Sequence, residues 1–273
     1  MTTVNVISLG AGVQSTTMLL MACHGEITPK PKWAVFADTG WEPRKVYKHL
    51  QWLTQEASKH GIEVVVTGKG NIRDDHLRAA RDKSRVDAIP FFVKVDGQQE
   101  EGVVPRQCTK GYKIEMIQKK VRELLGYLPR QRIPENSVIQ WVGISVDEIE
   151  RAKTSGQKWV KFRHPLLEIG MNRLDCMNWL IRKGYYVPPK SSCIGCPYHN
   201  NHTWAEMKRN EPEEFQDAVE FEREMRRLGG LRKMEGKVYL HRSCIPLDQI
   251  DFESQMDLFY DGFINECEGM CGV

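Results

Sequence analysis

The sequence contains no apolar run approaching the roughly 18 residues of a membrane span, so no spanning segment is expected. It also has little excess of either charge. Lys and Arg number 39 against 36 Asp and Glu, a formal net charge of 39 − 36 = +3. That excludes a strongly acidic or basic chain and argues for no nucleic-acid partner by itself. No Lys or Arg precedes Lys30, so the basic start of a secretory signal is lacking. No internal repeat or low-complexity tract occurs. The expectation is a cytoplasmic protein without membrane contact, and with 273 residues it is one large domain or a core plus a small appendage. What is present in quantity is cysteine: Cys23, Cys108, Cys176, Cys193, Cys196, Cys244, Cys267 and Cys271. In a reducing compartment, paired cysteines more often mean metal or redox chemistry than disulfides.

Val4 to Ser8 reads as a short buried strand running into the glycine-rich turn Leu9-Gly10-Ala11-Gly12-Val13-Gln14. Thr16 to Cys23 reads as a helix, Trp33 to Ala37 as a second buried strand ending at Asp38-Thr39-Gly40, Lys45 to His60 as an amphipathic helix, and Ile62 to Thr67 as a third strand. That β-α-β-α-β order predicts a doubly wound parallel α/β sheet. The polar stretch Gly68 to Gly102 reads as a long functional loop or lid, with Phe91 to Val95 as an insert of strand character. Lys110 to Leu125 reads as a helix, Val138 to Ile144 as a fourth strand leading to Asp147-Glu148, Leu174 to Lys183 as a helix, and Thr203 to Leu228 as a charged helical region broken near Pro212. The tail from Leu231 onward reads as irregular. The expected division is a nucleotide-binding α/β domain over 1–185 and a helical and irregular, cysteine-bearing extension over 186–273.

A strand that ends in glycines and feeds a helix suits a phosphate group. The glycines let backbone N–H groups approach an anion, and the helix N-terminus adds its dipole. Ser8, Gly10, Ala11, Gly12, Val13, Gln14, Ser15 and Thr16 are the candidate phosphate-binding residues. The run is neither a Walker motif, lacking Gly-Lys-Ser/Thr, nor a dinucleotide fingerprint, lacking the third spaced glycine. A tight strand–helix turn without a ligand is the plainer alternative. Asp38, at the carboxyl end of the second strand, is placed to meet a ribose hydroxyl or a magnesium ion, or to cap a helix.

Ile7 to Leu20, followed by Phe36-Ala37-Asp38-Thr39-Gly40-Trp41-Glu42, resembles the adenine-nucleotide α-hydrolase superfamily, which holds the PP-loop ATP pyrophosphatases and the phosphoadenylylsulfate (PAPS) reductases. Gly12 and Ser15 match the PP-loop pattern Ser-Gly-Gly-x-Asp-Ser. Gly10, Ala11 and Gln14 depart from it, Gln14 standing where that loop carries a magnesium-binding Asp. The Gly-Val-Gln run and the Asp-Thr-Gly element are closer to the reductases. Arg106-Gln107-Cys108-Thr109 with Lys113-Ile114 resembles the Cys-Thr…Lys segment of reductase-like sulfur enzymes, and Gly143-Ile144-Ser145-Val146-Asp147-Glu148 with Arg151 resembles the segment after the fourth strand, with Ser145 where an Arg is common. The resemblance implies ATP or another adenine nucleotide with Mg2+, Asp147 and Glu148 helping to order the metal, Gly143 beside the nucleotide, and Gln14 and Asp38 in the catalytic centre.

Cys193-Ile194-Gly195-Cys196-Pro197 is a CxxC ahead of a proline, whose intervening glycine allows two thiolates to grip one face of a metal or cluster. A thioredoxin-like redox CxxC would open a helix near the first strand, and this one follows Pro188-Pro189 late in the chain. Cys108 and Cys244 are the candidate partners. Sulfate reductases of the superfamily bind a [4Fe–4S] cluster with a double cysteine upstream and a CxxC downstream. This chain has only Cys108 upstream, so either Cys244 is the fourth ligand or three cysteines leave one iron open. Zinc is the metal alternative, and His199 and His202 would join it or lie as ordinary surface residues. Glu266-Cys267 resembles the reductases' terminal Glu-Cys-Gly, with Glu268 replacing the Gly. Cys267 is thus a candidate nucleophile, and a frayed tail is the alternative. Cys23 and Cys176 read as packing residues.

Arg78, Arg81, Lys83 and Arg85 would track a phosphate backbone or form a solvated face. The leading expectation is an ATP pyrophosphatase that adenylates a substrate for sulfur transfer in DNA phosphorothioation or tRNA thiolation. A cysteine desulfurase or sulfur carrier would be the donor, and partner proteins would present the nucleic acid. The alternatives are a thioredoxin-dependent PAPS or adenylylsulfate reductase and an inactive adenine-nucleotide sensor subunit.

Overall fold

The computed structural model describes residues 3–95 and 101–252. Five strands form one parallel sheet: β1 (Val4–Leu9), β2 (Trp33–Ala37), β3 (Glu63–Thr67), β6 (Val138–Val142) and β7 (Val160–Arg163), in the order β3-β2-β1-β6-β7. The period-2 alternation of the strands explains its two covered faces. Ile7, Leu9, Ala34 and Phe36 pack under α1 (Val13–Cys23), α2 (Arg44–Lys59) and α6 (Arg173–Arg182). Val6, Val35, Ala37 and Val138 point the other way, onto Ile117 and Val121 of α4 (Glu115–Leu124). The expected doubly wound α/β architecture is the one observed. Fully buried aliphatic side chains such as Ile7 and Leu19 each contribute about 1.5–3 kcal/mol.

The stretch 68–102 departs from the expected loop. Residues Ile72–Asp82 form helix α3. The Asn71 side chain caps it, accepting from the backbone N–H of Arg73 (2.9 Å) and Asp74 (3.3 Å). Asp74 and Asp75 in its first turn and Arg81 in its last suit the helix dipole. Strands β4 (Phe92–Lys94) and β5 (Glu101–Val103) follow, and β4 also pairs with β8 (Lys237–Tyr239), giving a second, antiparallel sheet in the order β5-β4-β8. A short α5 (Pro165–Glu168), then α7 (Asn201–Asn210) and α8 (Pro212–Arg227), complete the helices; the break expected at Pro212 is the start of α8.

A third core joins these pieces. Ile72, Phe91 and Tyr112 pack with Trp204, Phe221 and Leu240. Residues on both sides of the expected 185/186 boundary therefore share one apolar cluster. Among the described residues no helix is long and apolar enough to cross a membrane.

Candidate functional site

The sheet order makes β1 the turning point. The chain leaves β1 toward β2 and later returns to β6 on its other side. Open parallel sheets bind ligands beyond the carboxyl ends of the strands at such a point. The loop 10–12 lies there. Ala11 has a φ of 59°, a left-handed backbone uncommon for a residue with a Cβ. The Gly10 N–H donates to Ser15 Oγ at 3.2 Å, and the Gly10 carbonyl accepts from Ser191 Oγ. Gly12 ends the loop as the N-terminal residue flanking α1, with no side chain capping the helix. The first N–H groups of α1 therefore stay available to an anion. Ser8 Oγ is buried at the end of β1 without a hydrogen-bond partner, and Val13 and Ser15 are buried behind the loop.

Gln14 is fully buried in the first turn of α1. Its Nε2 donates to Ser145 Oγ (3.3 Å) and to Glu148 Oε2 (3.2 Å), and its Oε1 accepts from Arg173 Nη1 (3.0 Å). Glu148 also accepts from Arg151, and Asp147 Oδ1 accepts the Arg173 backbone N–H at 3.0 Å. Gly143 is buried between β6 and the helical turn that carries these acids. Asp147 and Glu148 thus serve Arg173, Gln14 and Arg151 in this arrangement.

Asp38 extends β2, its N–H donating to Thr67 O. Its Oδ1 accepts from the Gly40 N–H (2.7 Å) and from Tyr47 OH (2.8 Å). Two donors on one oxygen fix the carboxylate. Burial pushes the Tyr47 phenol up, so it stays a donor.

Beside Arg173 opens a cavity of about 630 Å³, whose lining also includes Lys45, Lys48, Lys190, His49 and Tyr186. Sequence reasoning missed most of these residues. His49 bridges Thr16 Oγ1 (2.9 Å from Nε2) and Tyr186 OH (2.8 Å from Nδ1). Burial lowers its pKa to about 4, so the imidazole is neutral at pH 7. Lys45 is already paired with Glu211 at 2.9 Å. Arg173, reaching Gln14 from 159 residues away, leaves no local pattern by which it would be found.

The cysteines sit on three elements. Cys108 precedes the π-helical turn Thr109–Ile114, with its N–H on Ala88 O. The CxxC turn is closed by Cys196 N–H donating to Cys193 O at 3.1 Å. Burial raises the Tyr198 pKa, Arg106 opposes that shift, and Cys196 and Cys108 add to it. Cys193 Sγ lies 3.2 Å from Thr39 Oγ1 and 3.6 Å from Glu42 Oε1. Glu42 is buried and 3.8 Å from the equally buried Lys113 Nζ. Cys244 is buried in the turn after β8 with a φ of 50° and its N–H on His241 O.

Thiolates suit iron or zinc, but among the described residues no group of three or more His, Cys, Asp or Glu side chains is disposed to hold a metal ion. Of the candidate ligands Cys108, Cys193, Cys196 and Cys244, Cys193 faces Thr39 and Glu42 in this structure. His199 lies against the CxxC turn. Its Nε2–H donates to Cys193 O (3.0 Å) and Ile194 O (3.2 Å), so it braces the CxxC turn, and burial lowers its pKa to about 3. Cys267 and Cys271 lie outside the described residues.

No protein-family model and no curated protein matches the chain. Among solved structures, the U34-tRNA thiolase NcsA from Methanococcus maripaludis with its [4Fe–4S] cluster is similar at 12% identity and a TM-score of 0.36, covering 90% of this chain and 79% of that one.

Proposed function

We propose that this chain binds an adenine nucleotide and activates an acceptor for sulfur transfer. The observation that carries the reading is the Gln14–Arg173–Glu148 network. It holds a cation at the mouth of an uncapped helix, over a cavity lined by Lys48 and Lys190 as well. Such a site favours the phosphates of a nucleotide. In this reading the backbone N–H groups of loop 10–12 and α1 take the β- and γ-phosphates, Arg173 offsets their charge, and Asp38 takes the ribose. An acceptor oxygen attacks the α-phosphorus, the bond to the bridging oxygen breaks, and pyrophosphate leaves. A sulfur nucleophile then displaces AMP. The acceptor would be a DNA phosphate or a tRNA base presented by partner proteins, with a cysteine desulfurase or sulfur carrier as donor and Mg2+ accompanying the nucleotide. The test is pyrophosphate release from ATP by the purified chain, alone and with DNA or tRNA. No release under any of these conditions would sink the reading.

A second reading is favoured by Gln14 itself, an amide where the PP-loop has a carboxylate: reduction of PAPS or adenylylsulfate with Cys267 as nucleophile and thioredoxin as reductant. Thioredoxin-dependent sulfite release, abolished in Cys267→Ser, would establish it. Nucleotide binding without either activity would leave a sensor subunit. Metal content is measured on the same anaerobic protein. Absorbance near ~400 nm would mean that the thiols close around iron and sulfide, and stoichiometric zinc without colour would assign zinc.

A further inference from the structure

A second concavity, of about 810 Å³, opens beside α3. Five cations line it: Lys69, Arg78, Arg85, Arg232 and Lys233. Only two acids do, Asp75 and Asp87. Each acid holds one of the cations, Asp75 pairing with Arg78 and Asp87 with Lys69. Arg85, Arg232 and Lys233 are exposed and have no counter-ion among the described residues. The lining therefore carries an excess of 5 − 2 = +3, as large as the +3 of the whole chain. Cations crowded into one hollow repel one another unless an anion joins them.

The hollow is built rather than accidental. Lys83, at the C-terminal end of α3, donates to Leu228 O (2.7 Å) and Gly230 O (3.1 Å). That clamp sets the turn bearing Arg232 and Lys233 against the segment bearing Arg85. Of the four basic residues singled out in the sequence, Lys83 is thus structural, Arg78 and Arg85 line the hollow, and Arg81 does not. The lining also includes Ala88 and Gln107, and the N–H groups of Gln107 and Cys108 both donate to Ala88 O. Cys108 therefore adjoins the lining of the hollow.

We infer that this hollow binds the phosphodiester backbone of a nucleic acid beside Cys108. Several unpaired cations on separate segments suit a repeating anion better than a single phosphate. The inference rests on the proposed function for its acceptor class, and its test is separable from that reading. Binding of labelled single-stranded RNA, single-stranded DNA and duplex DNA to the full chain is followed by fluorescence anisotropy over a range of salt, and the tightest ligand identifies the source. The comparison is Arg85→Gln/Arg232→Gln/Lys233→Gln, in exposed residues whose loss leaves no buried partner. The expected result is at least a tenfold loss of affinity and a salt slope shallower by about 2, at roughly 0.7 per phosphate contact. ATP binding by this variant should match the parent chain. Absence of oligonucleotide binding by the parent chain, binding unaltered in the variant, or equal displacement by polyglutamate of matched charge would each overturn the inference. Oligonucleotide binding by a chain that releases no pyrophosphate would uphold it while removing the proposed reaction.

Discussion

The Gln14 side-chain amide stands 3.2 Å from Glu148 Oε2, tying the first turn of α1 to the segment after β6. This bond holds α1 against the helical turn that carries Glu148. Gln14→Glu keeps the shape and removes the donor. A second carboxylate would then face Glu148 in a buried site, with Arg173 able to offset only part of the repulsion. The expected loss of stability is about 1–3 kcal/mol, with weaker ATP binding because negative charge has been added beside the phosphates. Urea denaturation and calorimetric titration read the two effects. Unchanged values in both would refute the role given to Gln14.

Arg173 links Gln14 to the cavity. Arg173→Gln removes the cation and its donor to Gln14 Oε1. A charge-assisted hydrogen bond is worth about 1.5–3 kcal/mol, so nucleotide affinity should fall roughly tenfold to a hundredfold. The effect should exceed that of Lys45→Gln, because Lys45 is already engaged by Glu211. An equal or larger effect at Lys45 would reverse that ranking and move the phosphate site toward α2.

The first half of the sheet was legible because each strand is a short apolar run ended by glycine or Asp-Thr-Gly. Helix α3 was not. Its buried positions, Ile72, His76, Ala79 and Ala80, keep helical spacing, but two are alanine and one is histidine, so the apolar stripe is faint. Strand β8 has three residues and is defined by pairing with β4 more than 140 positions away. The glycine-rich loop 10–12 and Asp38 were visible as local motifs. Arg173, His49 and Lys190 reach the site only through tertiary packing, and no spacing rule encodes that.

Gly195 permits the CxxC turn to approach Trp41. A Cβ added there would lie 2.2 Å from Trp41 Cη2. The indole has little room to move, since its Nε1 donates to Asp217 Oδ2 at 2.5 Å and its ring packs edge-on against Phe221. Gly195→Ala should therefore cost about 1–3 kcal/mol by overpacking and displace Cys193 and Cys196. Thermal unfolding reads the first effect and the rate of thiol alkylation the second. A variant as stable as the parent would show that the turn adjusts freely.

Four buried histidines make stability depend on pH. Burial lowers His49, His76 and His241 to about 4 and His199 to about 3. An unfolded histidine charges near 6.5, so between about 6.5 and 4 the unfolded chain binds more protons than the folded one. Stability must fall as pH falls through that window and be constant, as far as these groups are concerned, above it. Glu214 and Glu222 act in the opposite sense, because burial raises their folded pKa values and protonation favours the folded state. Four groups against two leave a net loss, at most about 2 kcal/mol per histidine near pH 5. Urea midpoints at about pH 7.5 and about pH 5 measure it. His199→Gln, whose amide can still donate to the Cys193 and Ile194 carbonyls but does not titrate, should flatten the dependence by one histidine's share. A midpoint that rises on acidification would contradict the assignment of neutral, buried imidazoles.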